Sequence, residues 1–319
     1  MDMTSVEQVL MTADPDRWRP GDSWLAGGTV LLSYGTDITR GKPRRLLDIT
    51  DAGWPPISWL RAADGALTDL EVAATCRVAE IYRLRANPDL PVPRAELPGL
   101  GLLRPCCDSF VASWKIWNVS TVGGNVATAL PAVPMTSLLA GLDATALLLG
   151  PGGDRRVLPV TELVIGEALT RLGDGELIRS FRIPIAALRQ PCAFRRISLR
   201  EYGRSAALLI GRRTGPGRVR IVVTASTRRP HVIDLGAEIP ATGPAWRDAI
   251  EASVAGEGWH DDIHGAPAWR RAMTHRLGEE ILAELLPGTD TDTDTHTHTD
   301  TGSAAGRITG DLTLDRSTP

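Results

Sequence analysis

The sequence predicts an α+β protein built of two folded units. Three observations carry that expectation. Strand-like and helical patterns alternate as far as Pro184, where the composition shifts. Beyond it, strand-like runs are followed by two helical patterns, the segregated order of an α+β unit. In the first unit, two apolar runs each break at a glycine pair followed by a small polar residue, "WLAGGTVLL" (24–32) and "VSTVGGNVAT" (119–128).

In chain order, Val6, Val9 and Leu10 predict a short helix that ends near Pro15. "SWLAGGTVLL" reads as a strand, a glycine turn and a short apolar segment, and "RRLLDIT" (44–50) as a buried strand. "GALTDLEVAATCRVAEIYRL" alternates and then turns helical, with Thr75 expected as the N-cap. The proline-rich stretch 87–100 predicts loop, and a helix is expected over Leu103–Ala112. "PMTSLLAGLDATALLLG" predicts a small helix and a strand, and "GELIRSFRIP" (175–184) the strand that closes the unit. In the second unit, "CAFRRISLR" and "RVRIVVTAST" are strand-like, with "GPG" (215–217) as a turn. "GPAWRDAIEASVA" and "APAWRRAMTHRLGEEILAELL" are helical. From Pro287 the tract "TDTDTDTHTHTDTG" has no apolar period, cannot bury a core, and predicts disorder over 288–319.

Composition excludes several classes. The 319 residues carry a formal charge of -3, which provides no field for nucleic acid or an anionic membrane. The first residues are acidic and lack a long apolar run, so no secretory signal is expected, and the expected address is the cytoplasm. Cys76, Cys106, Cys107 and Cys192 have no C-x-x-C spacing, so neither an iron–sulfur cluster nor structural zinc is expected. His296 and His298 offer a weak metal pair; His231, His260, His264 and His275 show neither metal nor triad spacing, and no catalytic residue is assigned.

Glycine admits positive φ and lets a ligand approach backbone amides without a Cβ in the way. Successive N–H groups in such a loop make a concavity for an anion, commonly a phosphate. The first loop offers amides of Gly27, Gly28 and Thr29; the second offers those of Gly123, Gly124 and Asn125, with Thr121 and Asn125 as side-chain partners. Neither loop is a P-loop or a Rossmann fingerprint. The residues alone therefore predict a phosphate-bearing ligand held between two loops.

"WLAGGTVLL", "WKIWNVSTVGGNVATALPA" and "LLAGLDATALLLG", in that order, resemble the FAD-binding subunit of the molybdenum hydroxylases. This family includes the flavin subunits of carbon monoxide dehydrogenase and xanthine dehydrogenase. The resemblance spans roughly residues 1–287 and rests on the paired A-G-G-[TH] and T-[IV]-G-G-N loops. It implies a two-subdomain FAD-binding domain of the PCMH type at 1–185, divided into about 1–55 and 56–185. An antiparallel sheet-plus-helices domain at 190–287 would follow. It implies FAD as cofactor, with Ala26, Gly27, Gly28 and Thr29 around the pyrophosphate and Leu25, Val30 and Leu31 flanking them. Thr121, Val122, Gly123, Gly124 and Asn125 would act from the other side, and Arg196 would approach the flavin. It implies a large molybdenum-cofactor subunit and a small [2Fe-2S] subunit as partners, with electrons reaching FAD in this chain.

The sequence departs from the family pattern after G-G-N. Leu130 stands where a serine is common, Pro134 where an acid is common, and Val30 where a polar residue is frequent. Each lost charge-assisted bond removes about 1.5–3 kcal/mol. A structural subunit that has lost FAD, and a stand-alone flavoprotein reductase, are the alternatives.

Overall fold

Main-chain pairing decides the first element against its apolar pattern. Val6, Val9 and Leu10 predict a helix, yet Gln8–Met11 is a strand, β1, in the computed structural model, which describes residues 3–287. β2 (Asp22–Leu25) and β3 (Arg45–Asp48) complete a parallel sheet of order β1-β3-β2. Gln8 pairs with Arg45 and Met11 with Asp48. A helix this short is marginal in water, so the ladder to β3 wins. One turn of helix, α1 (Leu31–Tyr34), follows β2.

The second sheet is antiparallel. It contains β4 (Ile57–Arg61), β5 (Leu67–Ala73), β6 (Thr145–Leu149), β7 (Arg155–Pro159) and, after the small hairpin β8 (Val164–Gly166) and β9 (Leu169–Thr170), the strand β10 (Leu177–Pro184). The order β4-β5-β10-β6-β7 puts β10 at the centre, where Phe181 is fully buried. Helices fill the crossing from β5 to β6: α2 (Val78–Leu84), α3 (Leu103–Asp108), α4 (Trp114–Trp117), α5 (Val122–Ala127) and α6 (Pro134–Gly141). The N-cap of α2 is Arg77 rather than Thr75, and the Glu80 carboxylate accepts from the Arg77 N–H at 2.7 Å. α3 stops at Asp108, four residues short of expectation. The Ser109 hydroxyl bonds back to the Pro105 carbonyl at 2.7 Å, and the chain turns away at Phe110. Two short helices, α7 (Val160–Leu163) and α8 (Ile185–Leu188), flank the sheet's last strands.

The third sheet is an antiparallel meander of β11 (Cys192–Ile197), β12 (Ala207–Gly215), β13 (Arg218–Thr224) and β14 (His231–Leu235). It carries α9 (Gly243–Val254) and α10 (Pro267–Leu285). β12 has no alternating pattern in the sequence, and the structure gives the reason. Ile210 packs against Gly141 of α6, while the next residue, Gly211, packs against Ile281 of α10. Successive residues of a strand face opposite sides, so β12 is covered on both faces and reads as one apolar run. Buried polar bonds secure the same seam. Ser137 and Thr224 share a hydroxyl bond of 2.7 Å, the Ala225 N–H donates to the Pro131 carbonyl at 3.0 Å, and Arg212 Nε donates to the Gly141 carbonyl at 2.6 Å. Residues 288–319, including His296 and His298, lie outside the described residues.

Arg270 is the buried tie of the third sheet. Its guanidinium, 1% exposed, donates to the carbonyls of Gly265 and Ala206 at 2.8 Å each, to the Ala225 carbonyl, and to Asp262. Removing one partner of a buried pair costs about 3–5 kcal/mol, because the remaining charge is left uncompensated. Arg270→Met is therefore expected to lower the unfolding free energy by about that amount, read as a fall in the urea midpoint.

A second tie is pH-dependent. Arg156 grips Glu176 through two hydrogen bonds, of 2.5 and 2.6 Å, and this holds the Glu176 carboxyl below its usual range. The pair's contribution is present above the unfolded glutamate value of about 4.3 and is lost as pH falls through the lower folded value. The thermal midpoints of wild type and Arg156→Gln, measured from pH 7 to pH 3, are expected to converge as the pH falls below the unfolded glutamate value.

Candidate functional site

β2 delivers the first glycine loop to the surface of the parallel sheet. Gly28 has φ +66°, a value that side-chain-bearing residues adopt at a cost, and the chain turns there into α1. Leu32 N–H bonds the Gly28 carbonyl at 2.8 Å and Gly35 N–H bonds the Leu31 carbonyl at 3.0 Å. Among the described residues, nothing accepts from the amides of Gly27, Gly28, Thr29, Val30 or Leu31. These are the orphan donors of a helix start and of the turn before it, and they carry partial positive charge.

The second loop comes directly against the first. A Cβ on Gly27 would lie 2.0 Å from the Val119 carbonyl oxygen, so only glycine permits this approach. Two residues beyond Gly27 and one beyond Val119, the hydroxyls of Thr29 and Ser120 share a hydrogen bond of 3.0 Å. Both loops line one cleft of about 260 Å3. Leu25, Ala26, Gly27, Gly28, Thr29, Val30 and Leu31 all border it, as do Thr121, Gly123, Gly124 and Asn125.

The second loop differs from its expected form in one respect. Its amides are not free for an anion. Val122 N–H donates to the Cys76 carbonyl at 2.8 Å and Gly123 N–H to the Ala74 carbonyl at 2.9 Å. Gly124 N–H donates to the Thr121 hydroxyl at 3.1 Å, and Asn125 N–H to the Thr121 carbonyl at 2.9 Å. The segment is the capped start of α5, and the chain between β5 and α2 takes the donors that a nest would present. Gly124 is exposed to the cleft without a side chain, so it provides clearance there rather than a bond. The Asn125 carboxamide oxygen accepts from Met135 N–H at 3.0 Å, capping α6, whose own Val133 and Pro134 supply no capping side chain.

Two residues chosen from the sequence stand outside the cleft lining. Val122 is 1% exposed and faces the core, as an apolar residue at the first position of a buried helix must. Arg196 is turned to its own domain: Nε donates to the Ser205 hydroxyl at 2.7 Å and Nη2 to the Gly203 carbonyl. The basic residue near it in the chain that reaches the cleft is Arg204, on the loop from β11 to β12. Sequence inspection also passed over the turn at Asp37–Arg40, where Asp37 accepts from Ser23, from Thr39 and from Arg40 N–H. The Asx-turn spacing "GTDITRG", following the first loop so closely, was its available signal.

The remaining walls are apolar. Phe110, Leu130, Val133, Pro134, Leu172 and Ile178 border the cleft, so all three departures from the family pattern, Val30, Leu130 and Pro134, line it. Trp114 and Trp117 pack with Tyr82 outside the lining, and the Trp117 indole donates to the Phe110 carbonyl at 3.1 Å. None of the four cysteines borders the cleft. Burial pushes their thiols up, Cys192 to about 11 and Cys107 to about 12, so they stay protonated and inert near neutral pH.

An apolar cleft with one rank of free amides suits a ligand that joins an anionic linker to flat, apolar-faced rings. Comparison with known proteins gives that ligand a family. The solved structures that share this fold include quinoline 2-oxidoreductase from Pseudomonas putida 86, with TM-score 0.65 and 21% identity over 87% of this chain and 95% of the other. They also include carbon monoxide dehydrogenase from Hydrogenophaga pseudoflava lacking the Mo-pyranopterin moiety of its molybdenum cofactor, with TM-score 0.69 and 20% identity over 88% and 97%. A third is reconstituted CO dehydrogenase from Oligotropha carboxidovorans, with TM-score 0.69 and 21% identity over 88% and 97%. No curated protein matches this sequence. Residues 4–186, more than half of the chain, match the FAD binding domain in molybdopterin dehydrogenase. The chain belongs to that family, and FAD is its cofactor.

Proposed function

We propose that this chain is the FAD-binding subunit of a molybdenum hydroxylase-type complex. In this reading a large molybdenum-cofactor subunit oxidises the substrate, a small [2Fe-2S] subunit passes the electrons on, and this chain delivers them to an acceptor. The observation that carries the reading is the joined cleft, in which the amides of residues 27–31 have no partner among the described residues.

The residues present fit the cofactor. The unpartnered amides and the Thr29 hydroxyl would hold the diphosphate, as a helix start holds an anion. Thr121 would meet it from the other loop, and Gly124 would leave the space that it needs. Leu130, Val133, Leu172 and Ile178 would exclude water from the rings, which strengthens every electrostatic contact inside. Bound there, FAD supplies a ring that accepts electrons singly or in pairs. Absence of a membrane-crossing helix among the described residues is compatible with a subunit of a soluble complex.

The full chain, purified with FAD, is expected to show a flavin absorbance spectrum at one FAD per chain. A valine at position 124 would project into the cleft beside the Thr121 hydroxyl, which lies 3.0 Å from a Cβ built there. Gly124→Val is expected to weaken FAD binding at least tenfold, about 1.4 kcal/mol, with an unchanged circular dichroism spectrum. Tight, stoichiometric FAD on that variant would remove the cofactor from this cleft. Isolated gently from its native source, the chain is expected to carry iron, acid-labile sulfide and molybdenum on partner subunits. A homogeneous flavoprotein free of these metals would favour a stand-alone reductase.

A further inference from the structure

Four ionisable side chains border the cleft: Asp37, Arg40, Glu176 and Arg204. Three are engaged. Asp37 accepts from Ser23 and Thr39, Arg40 pairs with Asp174 at 3.0 Å, and Glu176 pairs with Arg156. Arg204 has neither a hydrogen bond nor an ion pair among the described residues, and it is the one cleft-lining residue that the 190–287 domain contributes.

Its backbone, by contrast, is fixed on both sides. Arg196 bonds the Gly203 carbonyl and the buried Ser205 hydroxyl. The Ala206 carbonyl is held by Arg270, which also holds the Ala225 carbonyl, and Ala225 N–H bonds Pro131. Arg204 is thereby placed at the Leu130–Pro134 end of the cleft. The free amides lie at the opposite end of α5, where Thr29 meets Ser120. The six residues of α5 separate the two ends by roughly 9 Å of helix. Leu130 and Pro134 carry no charge, and among the described residues no carboxylate pairs with the guanidinium.

We propose that Arg204 is a positioning residue that sets the reduction potential of the flavin by facing its isoalloxazine ring. The inference rests on the reading of this cleft as the FAD site. Two-electron reduction with uptake of one proton leaves the ring with one added negative charge; the electrons come from the iron–sulfur partner of the proposed complex. A cation carried there by a held backbone favours the reduced form over the neutral oxidised one. Adenine gains no charge in the reaction and would draw no such benefit.

The test is the midpoint potential of the FAD-loaded full chain, from a dye-coupled reductive titration, beside the FAD dissociation constant. Arg204→Gln is expected to disfavour the reduced form about tenfold, a fall of about 30 mV for a two-electron couple. FAD affinity in the oxidised state is expected to change less than threefold, and Arg204→Lys to restore most of the potential. An unchanged potential in Arg204→Gln overturns the proposal. So does a tenfold loss of oxidised FAD affinity at constant potential, which would put Arg204 on the diphosphate. A wild-type chain that binds no FAD overturns the cofactor reading instead.

Discussion

Every feature of the site depends on the contact between the two glycine loops. Gly27 lies against the Val119 carbonyl at a distance no Cβ allows, and the Thr29–Ser120 hydroxyl bond closes the join. The loops belong to different sheets and are separated by about ninety residues of chain. Their meeting brings the parallel sheet and the antiparallel sheet to one cleft and gives it a polar floor between apolar walls. Without the join, each glycine pair is only a turn.

The two loops look alike in sequence and divide the work. The first keeps its amides free, because α1 is a single turn and no strand runs beside it to take them. The second gives its amides to Ala74, Cys76 and Thr121, which fixes α5 and through Asn125 the start of α6. Its contribution to a ligand is the bare Gly124 surface. In the proposed reading, one loop would bind the anion and the other would give clearance. The polar bonds that a serine at 130 and an acid at 134 would add are then not the ones proposed to hold a diphosphate at the amides.

The third sheet reaches the cleft through one loop. Its rigidity comes from a chain of buried polar contacts, from Arg270 to Ala206 and Ala225, and from Ala225 to Pro131. That chain crosses the seam beside α6, which is buried along its full length between the third sheet and the helices α3, α5 and α7. A fully buried helix transmits position well, because close-packed interiors leave little room for independent motion. The third sheet therefore stands in a fixed relation to the cleft, and the backbone of Arg204 with it.

The sequence by itself determined the α+β class, the glycine loops, the strand that ends at Pro184 and the helices α9 and α10, because period and turn chemistry are local properties. It also marked Leu25–Leu31 and Thr121–Asn125 as one kind of site. Only the tertiary structure decided what depends on a distant partner. β1 became a strand because β3 offered it a ladder, and β12 hid its alternation because helices cover both its faces. Val122 turned to the core and Arg196 to Ser205, while Arg204, eight residues further on, took the place at the cleft. Which amides remain free is likewise invisible in a run of letters, since a donor's fate is set by whichever acceptor the fold brings beside it.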